Sequence, residues 1–135
     1  MAKYQNFVSN LEVLRKAPDQ DLQNEFVQSG IIDKFTMQFE LAWKLLQKTL
    51  AHEGVLEGTI GSPRVIIKSA YSVYDFVDED VWLQMLEDRN LAEHVYDASL
   101  AKRLTSQIID SYIDVFNHML ASLNALYGKE FLETL

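Results

Sequence analysis

Apolar residues recur at three- and four-residue spacing through almost the whole chain, and a chain patterned this way buries helix stripes rather than strand faces. Tyr4, Phe7, Leu11 and Leu14 form the first stripe, and Pro18 ends that helix or starts the next. A short segment, 22–27, precedes Ser29 and Gly30. Ile31, Phe35, Phe39, Ala42, Leu46, Thr49 and Leu50 then make the strongest stripe, widened by Ile32, Trp43 and Leu45. A stripe this wide touches neighbours on two sides. It stops near Gly54, where residues 54–61 hold three of the five glycines and predict a loop. Ser62 and Pro63 suit an N-cap and first helical position, followed by Val65, Ile66, Ala70, Tyr71 and Val73. After an acidic break at 75–80, Asp78 is placed to cap a helix carrying Val81, Trp82, Met85 and Leu86 that runs into Arg89 and Asn90. Asp97 is placed to cap the last helix, whose stripe is Leu100, Leu104, Ile108, Tyr112, Phe116, Met119, Leu123 and Tyr127, with Gly128 as C-cap. That helix spans about 45 Å at 1.5 Å per residue.

No period-two pattern, internal repeat or low-complexity tract competes with this reading. The expected fold is all-α, an up-and-down four- to five-helix bundle. Residues 1–135 form a single domain, a length that buries roughly two-thirds of the unfolded surface, with 128–135 read as a tail free to flex beyond Gly128. The 31–52 helix and the last helix are long relative to the rest, and their surplus apolar length is most simply covered by a second copy of the chain, giving a homodimer.

Charge and composition narrow the function. Twenty acidic residues face twelve basic ones, a net charge of −8. A protein that simply coats nucleic acid needs a basic surface to release counterions, so any nucleic-acid contact here has to be local. Cysteine is absent, which excludes disulfides and thiolate metal sites and fits a cytoplasmic location. The N-terminus is polar and lacks the apolar run of a signal peptide. No apolar stretch approaches the roughly 18 residues needed to span a membrane.

Most catalytic chemistries find no residues here. His52, His94 and His118 lie far apart, Glu-x-x-His occurs nowhere, and no metal site is expected. His52 and His118 read as solvated helix residues. Gly-x-Ser-x-Gly is absent, and Gly54, Gly58 and Gly61 lack the spacing and lysine of a phosphate loop. Paired carboxylates on a sheet, which a minimal nucleotidyltransferase needs, are not available to an all-helical chain. The remaining candidate is the segment from Arg89 to Tyr96. Its arginine offers a planar cation that fits phosphate. Its histidine takes and gives protons near neutral pH. The bland alternative is a polar helix end, with Arg89 paired to a carboxylate and His94 favoured by the negative end of the helix. Glu40 is placed to pair with Arg89 if their helices are neighbours. Arg64, just after the N-cap Ser62, either extends a phosphate site at that helix end or is simply solvated. Trp43 is read as core.

Arg89-x4-His94 followed by x-Tyr96 resembles the Arg-x4-6-His motif of the HEPN superfamily of small helical bundles. Three wider blocks, 39–44 (Phe-Glu-Leu-Ala-Trp-Lys), 61–64 (Gly-Ser-Pro-Arg) and 82–90 (Trp-Leu-Gln-Met-Leu-Glu-Asp-Arg-Asn), resemble the nucleotidyltransferase substrate-binding proteins, and the likeness runs from about Tyr4 to Leu123. The resemblance implies a dimeric bundle that binds a minimal nucleotidyltransferase, which does the nucleotidyl chemistry. The chain is then a substrate- or partner-binding subunit without a cofactor, its cleft formed by Arg89, His94, Asn90 and Tyr96. Related HEPN proteins are RNA-cleaving toxins, which the partner enzyme neutralises, in some cases by adding AMP to the motif tyrosine, here Tyr96. On that alternative the cleavage is metal-independent and its target is single-stranded RNA. His94 serves as acid or base for the 2′-hydroxyl attack, and Arg89 holds the phosphate.

Overall fold

A computed structural model of the chain describes residues 3–55, 60–94 and 97–135. It is an all-α bundle. Helix α1 (Lys3–Leu14) leads through a 3-10 turn at Ala17–Asp19 to α2 (Glu25–His52). Then come α3 (Pro63–Val73), α4 (Glu79–Leu91), a 3-10 turn at Ala92–His94, α5 (Ala98–Gln107), a π-helical turn at Ile108–Tyr112, α6 (Ile113–Tyr127) and α7 (Lys129–Leu132). Helix α2 is the axis: α1, α3, α4 and α5 all pack on it, and α1 also meets α6. Two sides of α2 are therefore occupied, as its wide stripe requires. An aromatic group fills the centre. Phe116 meets Phe7, Phe35 and Trp82 at ring-centroid distances of 6.3, 6.3 and 6.4 Å.

Polar groups fix the helix pairs. The Asn10 amide donates to the Gln38 side-chain oxygen at 2.8 Å and to the Lys34 carbonyl at 2.9 Å, and Gln38 donates back to the Phe7 carbonyl at 3.1 Å. This buried reciprocal set locks α1 onto α2 in one register. The helix starts at Asp78 and Asp97 form as the sequence indicates: their carboxylates accept from the Val81 N–H at 3.2 Å and the Ser99 N–H at 2.8 Å. Gly128, at φ 82°, closes α6, and α7 seats Leu132 in the core.

Three local features differ from the sequence reading. Helix α2 does not break at Ser29 and Gly30 but begins at Glu25, because the Asn24 side chain accepts from the N–H groups of Phe26 and Val27. A glycine inside a helix costs roughly 1 kcal/mol, and burial of Ile31, Ile32 and Phe35 directly after it outweighs that. Helix α3 buries Ile66, Ile67 and Ala70, while Val65, Tyr71 and Val73 face outward, so its stripe is turned from the one expected. The last helix is not uniform. Its stripe steps by four residues from Leu100 to Phe116, and each such step drifts about 40° on an α-helix. The π turn at 108–112 takes up that drift, so that Leu104, Ile108, Tyr112 and Phe116 all remain buried.

Candidate functional site

The C-terminal end of α4 brings together two arrangements. Arg89 projects toward α2, where its guanidinium pairs with Glu40 and also donates to the Asn90 side-chain oxygen at 3.0 Å. Glu40 is shared with Lys44, one helical turn on, at 3.9 Å. Arginine carries five N–H donors in a planar fork, and these two bonds leave donors for a further anion. The 3-10 turn bearing His94 lies against both α2 and α4, and the His94 side chain is exposed. Arg89, oriented by Glu40, and the exposed His94 thus both belong to the C-terminal end of α4 and the turn that follows it. Asn90 is exposed beside them. Tyr96 lies outside the described residues.

Asp88 points the other way and is 0 % exposed. It accepts from the Tyr112 hydroxyl at 2.5 Å and from the Gln84 amide at 3.3 Å, and the Arg103 guanidinium stands 3.9 Å away. The π turn presents Tyr112 to it, and Phe35 of α2 stacks on the Tyr112 ring at 5.2 Å. Asp88, Tyr112, Arg103 and Gln84 were not singled out by motif spacing. Their signal was a carboxyl group three residues after Met85, on the apolar side of an otherwise amphipathic helix. The buried Asp88 carboxyl is held by Tyr112 and Gln84, and Arg89, the next residue, leaves the helix about 100° around it.

Burial, followed by the hydrogen bond to Asp88 and the charge of Asp88, pushes the Tyr112 phenol well above its ordinary value. Burial likewise raises Tyr74 and Tyr127. These phenols stay protonated in the fold while those of the unfolded chain ionise above about pH 10. The stability is fully present below that pH and is lost as pH rises toward the folded-state values. For Tyr112 the loss is roughly 1 kcal/mol between pH 10 and 11, where the unfolded phenol passes from half to nearly fully ionised. Urea unfolding measured over this range should show a shallower pH slope for Tyr112→Phe than for the wild type; equal slopes would refute the assignment.

The other candidates fall elsewhere. Arg64 is exposed at the start of α3. Trp43 is partly buried, and the Lys44 ammonium sits 5.8 Å from its ring centroid. His52 and His118 are exposed helix residues, each resting against aromatic rings. Among the described residues no group of three or more His, Cys, Asp or Glu is disposed to hold a metal, and no helix is long and apolar enough to cross a membrane.

Fold and sequence together define a small helical-bundle protein whose α4 ends against α2 in an Arg-x4-His segment. Residues 2–125 match the family described as nucleotidyltransferase substrate binding protein like, and the chain belongs to that family. It is also similar to a probable ribonuclease HepT of Haemophilus influenzae, 28 % identical over 100 residues that cover 70 % of this chain and 68 % of that protein. Both matches agree with the family resemblance read from the sequence.

Proposed function

We propose that the protein is the substrate- or partner-binding subunit of a two-component minimal nucleotidyltransferase, and that the cleft of Arg89, Asn90 and His94 receives a phosphate of the nucleotide or RNA involved. The observation that carries this is Arg89, held by Glu40 with donors to spare beside an exposed histidine. Family membership over most of the chain supports the partner class. Nucleotidyl transfer is then the partner's reaction, and this chain needs no cofactor. The subunit works as a homodimer in the cytoplasm. Exposed Val13, Phe26 and Met37 on α1 and α2 supply apolar surface for self-association, with Phe26 89 % exposed.

A second reading, metal-independent RNA cleavage, is favoured by the intact Arg89-x4-His94 spacing and the likeness to a probable ribonuclease. In it, His94 draws the proton from a 2′-hydroxyl so that this oxygen attacks phosphorus. The P–O5′ bond breaks, a 2′,3′-cyclic phosphate and a free 5′-hydroxyl form, and Arg89 neutralises the charge building on the phosphoryl oxygens. A second histidine from the partner copy protonates the leaving oxygen. AMP added to Tyr96, two residues after His94 in sequence, brings negative charge that repels RNA and shuts the reaction off.

One experiment separates the two. The chain is purified alone and together with the nucleotidyltransferase encoded beside its gene, and both samples are given single-stranded RNA in EDTA. A stable complex with no cleavage by the free chain is the expected result. Cleavage by the free chain that ceases on nucleotidylation establishes the ribonuclease reading. Neither complex nor cleavage overturns both.

A further inference from the structure

The face of α6 turned away from the Arg89 cleft is open and has a different chemistry. Two hollows of about 510 and 240 Å³ lie side by side there, sharing Phe76 and His118. They form one groove along α6 from Asp114 to Tyr127, about 20 Å at 1.5 Å per residue, and the link between α3 and α4 makes its other wall. Glu53, on this groove, lies about 20 Å along α2 from Glu40 of the Arg89 cleft. The floor is aromatic: Tyr74 and Phe76 stack at 5.0 Å, and His118 meets Phe76 edge-on at 6.5 Å. Apolar surface reaches the rim at Val73 and at Leu126, which is 59 % exposed. Exposed carboxylates stand at both ends, Glu53 and Asp75 at one and Asp78 and Asp114 at the other. Neither hollow is lined by lysine or arginine. The Glu53 carboxylate is fixed in place, accepting at 2.6 Å from the Tyr127 hydroxyl, which is itself 2.7 Å from the Tyr74 hydroxyl.

We propose that this groove docks a basic segment of a protein partner, about six extended residues in which cationic side chains alternate with apolar ones. The charge decides the occupant. A nucleic-acid backbone is disfavoured by carboxylates in hollows that, among the described residues, no lysine or arginine lines. A second copy meeting this face across a two-fold axis sets each acidic end against like charge. Arginine or lysine meets both features together, with its charge on Glu53 or Asp114 and its stem or planar head over the aromatic floor. Leucine-sized residues between the cations cover Val73 and Leu126. At about 3.3 Å per residue, six residues span the groove. The groove does not depend on which reading of the Arg89 cleft holds.

The test titrates the full chain, labelled with nitrogen-15, with an acetylated and amidated hexapeptide alternating arginine and leucine at low salt. Amides of 73–78 and 114–127 should shift, and those of Arg89 and Asn90 should not. Replacing both Asp75→Lys and Asp114→Lys, exposed positions outside the core, should raise Kd at least tenfold with the thermal midpoint retained. A glutamate–leucine hexapeptide should not bind. An affinity unchanged in the double variant overturns the proposal, as does a shift map centred on Glu40. So does a single-stranded oligoribonucleotide that moves the groove resonances. A wild-type dimer that this double variant dissociates in sedimentation also overturns it, because the occupant is then a second copy.

Discussion

On the ribonuclease reading, His94→Ala should reduce RNA cleavage by about 10²- to 10⁴-fold, the usual contribution of a positioned acid or base, and Arg89→Ala by about 10²- to 10³-fold. Neither side chain belongs to the core, so both variants should unfold within about 0.5 kcal/mol of the wild type. A loss of activity is then a loss of chemistry. Arg89→Lys separates the roles further: it keeps the charge but loses the fork that reaches Glu40 and Asn90 together, so most of the arginine effect should persist. In a binding subunit the same substitutions act on affinity instead. Arg89→Ala should weaken binding of a phosphate-bearing nucleotide to the two-component complex about tenfold or more, because a charge-assisted hydrogen bond contributes roughly 1.5–3 kcal/mol. Cleavage and nucleotide affinity that both stay within twofold of wild type in Arg89→Ala would remove Arg89 from either role.

The second large effect is expected behind the cleft. Tyr112→Phe deletes the donor that Asp88 holds at 2.5 Å in a site closed to solvent. The cost should be about 2 kcal/mol, the usual range for a buried bond of this type, or several degrees in Tm. Asp88→Leu on its own should cost a similar amount, since it strands the Tyr112 hydroxyl. The double variant should be more stable than the sum of the two predicts by at least 1 kcal/mol, because neither polar group is then left without its partner. A coupling below about 0.5 kcal/mol would show the contact to be incidental. If Arg89 binds nucleotide as proposed and Asp88 positions it, Tyr112→Phe should also weaken that binding, and Tyr4→Phe, far along α1, should not.

What was legible in the sequence follows from what is local. The stripes of α1 and α2, and the side-chain caps at Asp78 and Asp97, depend on spacing within one helix and on the nearest few N–H groups. Glu40 was anticipated as the partner of Arg89 because only one condition was needed, that their helices be neighbours. The start of α2 was missed because Gly30 looks like a stop until Asn24 is seen to cap the helix six residues earlier. The outward turn of Tyr71 and Val73 was missed because α3 has apolar residues on more than one side, and the choice belongs to α2 and α4. The pairing of Asp88 with Tyr112 was missed for a tertiary reason, although Tyr112 itself was read as part of the buried stripe. The two are 24 residues apart, and nothing in either segment announces the other. The four-residue steps through Ile108 and Tyr112 did carry a signal, since an α-helix cannot keep them on one face.

That π turn gives the last helix two rotational settings in one rod. Residues before it are clocked to the polar end of α4, where Arg103 stands beside Asp88; residues after it are clocked to the aromatic centre and to the α6 groove. A residue lost or gained within 108–112 changes the angle between those halves while leaving the composition of each intact. The same change elsewhere in α6 has no slack to draw on and slides every later core residue off its face. Length variation among homologous bundles of this kind should therefore concentrate at this turn. The angle it sets fixes how the α6 groove is oriented relative to the polar end of α4.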